Sequence, residues 1–163
     1  MPHSFSMCKW DKHFIDMCRL HASLSKDQST KVGAVIVTPD RQIVSAGFNG
    51  FPRGIKDDHR LFDRETKLKL IVHAEMNAIL AAANLGIKVQ GCTMYLSAES
   101  DGKLWGGAPC SRCLVSLIQA GISEIVTVEN TCIPERWQED IKFSRSIIEE
   151  SGMKYREFRY TCD

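Results

Sequence analysis

The stretch IVHAEMNAIL, residues 71–80, sets a histidine and a glutamate two positions apart inside a run otherwise apolar enough for a buried helix. Desolvating two ionisable side chains costs several kcal/mol unless something compensates. His73 and Glu75 therefore demand a partner that the fold must supply. The Ala-rich spacing of 72–85, with Gly86 as a stop signal, predicts a helix buried on most sides.

Outward from this helix the pattern alternates. Upstream, Trp10, Phe14, Met17, Cys18 and His21 recur at spacings of three and four, which predicts an amphipathic helix over 10–24. GAVIV at 33–37, a turn at Pro39-Asp40 and QIVSAGF at 42–48 predict a β-hairpin. NGFPRG at 49–54 reads as a loop, and the charged segment 56–69 as a surface excursion with one helical turn. Downstream, 92–97 is expected as a strand, 97–109 as a polar, Gly-rich loop, and 110–121 as a helix ended by Gly121. A strand at 124–129, a long helix at 137–150 and a strand at 153–158 complete the series. Helices alternating with strands predict an α/β fold, one mixed sheet with helices on both faces, in a single domain over 1–163.

Composition narrows the partners. The 163 residues carry 21 Lys+Arg and 20 Asp+Glu, a formal net charge of +1. Nothing here attracts a nucleic-acid backbone or an anionic membrane, so a small-molecule partner is favoured. Lys9, Asp11, Lys12, Asp16 and Arg19 interrupt the beginning of the chain, and no window is apolar for the length of a membrane span. Seven cysteines, an odd number, argue against a secreted disulfide framework, so reduced thiols or metal ligands in the cytoplasm are expected.

Cys110 and Cys113, directly after Pro109, open a predicted helix whose dipole and free N–H groups lower thiol pKa values. Two thiolates and the imidazole of His73 make three ligands for Zn²⁺ and leave the fourth tetrahedral position open, as a catalytic site requires. Water there is acidified towards pKa ~7. Glu75, two residues from His73, is suited to move its proton. The alternative is a closed structural site, for which Cys92 is the candidate fourth ligand, although a small buried thiol at the start of a strand is ordinary.

His73-Ala74-Glu75 with Pro109-Cys110-Ser111-Arg112-Cys113 resembles the signature of the zinc nucleobase deaminases. STKVGAVIV, SAGFNGFPRG, HAEMNAIL, GCTMYLS, APCSRCLVSLIQAGISEIV and SGMKYREF extend the likeness over about 8–158. The chain thereby resembles the deoxycytidylate (dCMP) deaminases of the cytidine deaminase superfamily. The resemblance implies a three-layer α/β/α sandwich around a five-stranded mixed sheet, one catalytic Zn²⁺ on His73, Cys110 and Cys113, and Glu75 as proton shuttle. It implies hydrolysis of dCMP to dUMP and ammonia for thymidylate synthesis. By the same likeness Asn49 contacts the sugar and the backbone of Ala74 holds the base carbonyl. A homohexamer activated by dCTP and inhibited by dTTP with Mg²⁺ is implied too, with Gly47, Gly50, Arg53 and Gly54 in an effector or phosphate loop. Arg53, Lys56, Arg60 and Lys103 are the basic residues considered for the phosphate, each also readable as a solvated charge; His59 is expected at the surface.

Two departures stand out. The segment 56–72 holds only His59 and no Cys, so the second, structural zinc of some relatives is not expected. An insertion, AESDGKLWGGA at 98–108, precedes the Pro-Cys pair. Trp105 between its glycines either closes over the pocket as a lid, which would allow preference for a 5-substituted cytosine nucleotide, or rests against the fold. A deaminase of tRNA or single-stranded DNA would call for a basic groove that is not evident. A non-catalytic nucleotide sensor would have no use for Glu75. Tyr95, Cys132, Trp137 and Cys162 are read as core or surface residues.

Overall fold

A computed structural model describes residues 8–130 and 132–162. The central strand β1 (Lys31–Val37) lies between β2 (Ile43–Phe48) and β3 (Thr93–Ser100), antiparallel to both; β5 (Glu124–Val128) and β6 (Lys154–Phe158) continue parallel from β3. This gives the path β2-β1-β3-β5-β6. Strand side chains alternate between faces, and the sequence obeys that period. Val35, Val37, Tyr95, Val126, Val128 and Phe158 pack with Phe14, Ile15 and Cys18 of α1 (Lys9–Ala22) on one face. Ala34, Ile36, Met94, Leu96 and Ile125 meet Ala74 and Ala78 of α3 (Ala74–Leu85) and Leu117 of α4 (Ser111–Ala120) on the other. Helix α5 (Glu135–Ser151) adds Ile141 and Ile148 beside α4. Three layers, α/β/α, result as expected.

The sequence reading needs correction at three places. The excursion 56–69 is more ordered than one turn: a 3-10 turn at His59–Leu61 leads into a helix, α2 (Arg64–Leu70). The insertion is not a loop. β3 runs on to Ser100 and turns through Asp101 and Gly102, both at positive φ (51° and 72°), into a sixth strand, β4 (Lys103–Trp105). These φ signs fit a two-residue hairpin turn, in which Asp-Gly is favoured. β4 pairs Ala98↔Trp105 beyond the last β3–β5 pair, Leu96↔Thr127, and so takes up the β3 edge that β5 leaves. Finally, α3 begins at Ala74, not at Val72, because Val72 is pinned in a bridge with Gly50.

Candidate active site

That bridge carries the chain extended into His73, which is the N-cap of α3 (φ −69°, ψ 154°) and makes no side-chain cap bond, so its ring is free for other partners. Cys110 holds the same position on α4 (φ −58°, ψ 153°), likewise without a side-chain cap bond. The α4 N-terminus is capped instead from α5: an Asp140 carboxylate accepts from the Ser111 backbone N–H at 2.8 Å and from its hydroxyl at 2.7 Å. Two helix N-termini thus converge, and Gly47 lets β2 pack closely on the first of them. A Cβ there would collide with the Ala74 carbonyl and come within 2.5 Å of the Ala78 nitrogen, so β2 reaches the first turn of α3 only without a side chain.

His73 Nδ1 lies 3.3 Å from Cys110 Sγ and 3.4 Å from Cys113 Sγ. A tetrahedral Zn²⁺ with ordinary bond lengths sets imidazole nitrogen and thiolate sulfur about 3.5 Å apart, close to both of these spacings. Their ligand atoms lie within 4.8 Å of one another, and among the described residues this is the one such His/Cys/Asp/Glu group. Cys92 sits in the core cluster instead and His59 is exposed. Glu75, in the first turn of α3, is 5% exposed. Burial pushes its carboxyl up to about 7, the neighbouring Cys110 adds to this, and His73 partly offsets it. A hydrogen bond to Cys110 raises His73 to about 9. Within the cysteine pair, the hydrogen bond between the thiols lowers Cys110, with His73 helping, and raises Cys113.

His73, Cys110 and Glu75 form the floor of one cavity, which Ala74, Asn49 and Trp105 also help to line; Cys113 is buried and does not line it. Asn49 is buried, with Oδ1 accepting from the Val32 N–H and Nδ2 donating to the Thr30 carbonyl, each at 2.9 Å. One Nδ2 hydrogen remains. Trp105 packs into the cavity wall: it is 7% exposed, packs with Leu114 and Ile141, and donates from Nε1 to Ser100 Oγ at 3.0 Å. The basic residues singled out from sequence, Arg53, Lys56, Arg60 and Lys103, are not among the lining residues, whereas Arg64, Lys67 and Arg136 are. Arg60 is engaged by Asp58. Gly50, Arg53 and Gly54 belong to the loop after β2, where Arg53 and Gly54 are exposed, and Gly47 serves packing.

Sequence reading missed Trp137. It lines the cavity, meets His73 edge-on with ring centroids 6.5 Å apart, and buries an Nε1–H that has no partner. No periodicity distinguishes such a residue from core. Ser97, on β3, likewise lines the cavity with a buried, unpartnered hydroxyl.

The family described as the cytidine and deoxycytidylate deaminase zinc-binding region matches residues 8–129, three quarters of the sequence. The chain belongs to this deaminase family. The deaminase is 39% identical over 147 residues to an uncharacterized deaminase in the luxG 3′ region of Aliivibrio fischeri, covering 90% of this chain and 91% of the relative. It is 31% identical over 160 residues to the deoxycytidylate deaminase of Homo sapiens, covering 94% and 82%. A solved structure of the cyanophage S-TIM5 dCMP deaminase with dCMP and dUMP shares the fold, with TM-score 0.66 and 19% identity over 91% of this chain and 93% of that one. The deaminase is a hydrolytic enzyme of a zinc-binding family, and its His73–Cys110–Cys113 cluster fits that metal. No helix among the described residues is long and apolar enough to cross a membrane.

Proposed function

We propose that the deaminase hydrolyses dCMP to dUMP and ammonia, supplying dUMP for thymidylate synthesis. The observation that carries this reading is Glu75, buried in the first turn of α3 beside the His73–Cys110–Cys113 cluster at the floor of a cavity. Relatives named deoxycytidylate deaminase support the substrate. When bound, zinc would acidify a water molecule and so make a nucleophile available at neutral pH. Glu75 takes one proton of the attacking water at its carboxylate and passes it to the cytosine ring nitrogen N3; it then takes the second, from the hydroxyl now on C4, and delivers it to the amine, so that the C4–N bond breaks and ammonia leaves as the carbonyl forms. Ala74, the first residue of α3, has a backbone N–H with no intrahelical acceptor, suited to hold the base carbonyl. The spare Nδ2 hydrogen of Asn49 suits a sugar oxygen. Trp105, Gly106, Gly107 and Trp137 contribute to the cavity wall, which would limit the water around the reacting atoms.

Ammonia release from zinc-loaded protein, assayed over cytosine nucleosides, mono- and triphosphates, tests the substrate; no release from dCMP would refute it. Glu75→Ala should lower turnover by about 10²–10⁴-fold while zinc content and folded secondary structure persist. An unchanged rate would sink the mechanism. A second reading, preference for a 5-substituted dCMP, is favoured by the insertion, which builds the cavity wall from Trp105 to Ala108. Faster turnover of 5-methyl-dCMP than of dCMP would establish it. Regulation by dCTP and by dTTP with Mg²⁺, in a cytoplasmic homohexamer, belongs to the proposal through the likeness of the GFNGFPRG loop to deoxycytidylate enzymes. Identical hyperbolic dCMP saturation curves with and without the triphosphates would remove it.

A further inference from the structure

The cavity has a second end, built of charges that the proton transfer does not use. Lys67, with 11% side-chain exposure, sits 3.3 Å from Oδ1 of buried Asp27. That oxygen also accepts from the backbone N–H groups of Ser29 and Thr30, at 2.8 and 3.2 Å, so its lone pairs are taken. Arg136, in the first turn of α5, donates to Thr30 Oγ1 at 3.2 Å. Arg64 stands one turn before Lys67 on α2, on the same helix face, and lines the cavity with it. Lys67 and Arg136 thus hold the 27–30 loop from two helices, and Arg64 lines the same cavity.

Stability does not explain this arrangement. Burying a Lys–Asp pair carries a desolvation cost that its attraction scarcely exceeds, and apolar residues of similar volume would serve the core as well. An exposed guanidinium beside it, bonded to a neutral hydroxyl, is free to take an anion in bidentate fashion. Asn49 joins the two ends, because its Nδ2 bonds the Thr30 carbonyl while the residue lines the floor region. Arg136 and Trp137 both lie beyond residue 129, where the family match ends, so this wall is written in the chain's own C-terminal part.

We propose that Arg136 and Lys67, with Arg64 at the rim, bind a phosphate monoester on the substrate, and that Asp27 is a positioning residue that holds Lys67 towards it. This rests on the nucleotide reading above and names the residues that make the enzyme select a phosphorylated substrate.

The test compares dCMP with deoxycytidine on zinc-loaded enzyme. For Arg136→Ala the ratio of kcat/KM for dCMP over deoxycytidine should fall about tenfold or more, as loss of a charge-assisted hydrogen bond implies, chiefly through KM for dCMP. Arg136→Lys should recover part of the ratio. A purely structural role would lower both substrates alike and leave the ratio unchanged, which would overturn the proposal. The paired variant Asp27→Asn/Lys67→Met, which avoids stranding one buried charge, should lower the same ratio. A second arm titrates 2-deoxyribose 5-phosphate, which has no base, into wild type and Arg136→Ala by NMR. Weaker binding to the variant supports the anion site even if neither cytosine compound is turned over, an outcome that would remove the dCMP reading alone. Equal binding to both proteins, or none to wild type, overturns the site.

Discussion

At the residue scale, Asn49 shows how much one amide can be asked to do. Its oxygen and one of its N–H groups are committed to the backbone at Val32 and Thr30, so it fixes the start of β1 as well as facing the cavity. Asn49→Asp keeps the shape but sets a carboxylate oxygen against the Thr30 carbonyl. We expect a loss of about 1–3 kcal/mol in chemical denaturation, with KM rising; unaltered stability would show that the amide does not brace the strand. Likeness to a known motif singled the residue out for the sugar, but it did not reveal the bonds to Val32 and Thr30. The same limit hid the cationic end of the cavity. Lys67 and Asp27 meet across 40 residues and Arg136 and Thr30 across 106, and each taken alone looks like a solvated side chain. His73, Glu75, Cys110 and Cys113 were legible because two short motifs each carry their spacing within one helical turn.

At the element scale, the sheet and the long helices followed from periodicity, whereas the insertion did not. Its Asp101-Gly102 pair is a hairpin signal, masked by the polar and glycine-rich residues on either side. Because Trp105 packs into the cluster of Leu114, Ile141 and Ile148, Trp105→Ala should cost about 3–5 kcal/mol, read from denaturant midpoints. A near-neutral result would show that this packing does not hold Trp105 in place and would favour the lid. Helix α4 depends on a cap lent by another helix, which no local pattern reveals. Asp140→Ala removes both bonds to Ser111, and we expect destabilisation of about 1 kcal/mol together with weaker zinc retention in a chelator competition. Unchanged zinc affinity would separate the cap from the metal site.

At the scale of the whole molecule, the His73–Cys110–Cys113 cluster gathers side chains from the starts of α3 and α4, elements distant in sequence. Stripping zinc should lower Tm by about 2–4 °C for each kcal/mol of lost binding free energy, and zinc should restore it; a Tm indifferent to metal would show that the site is prepaid by the fold. On the opposite face, Asp11 of α1 accepts from the Tyr95 hydroxyl and from Arg156, which also pairs with Glu124. Burial alone would raise its carboxyl, but the hydrogen bonds of Arg156 and Tyr95 and the charge of Arg156 outweigh it and hold the group below its ordinary value. A depressed carboxylate contributes stability above its unfolded pKa, about 3.9, and loses it as pH falls through the folded value. Asp11→Asn should therefore be less stable than wild type at pH 7, with the gap closing below about pH 4. A gap that persists in acid would mean that the group acts through packing.

The β3–β4 turn has a use of its own. Asp101 and Gly102 are exposed at the tip of a hairpin whose far end is the cavity wall at Trp105. Exposed tips of this kind tolerate new termini or inserted domains. A circular permutant opened between these two residues, or a fluorescent protein spliced there, would stand one short strand from the cavity, making the enzyme a scaffold for an optical reporter of whatever binds in it.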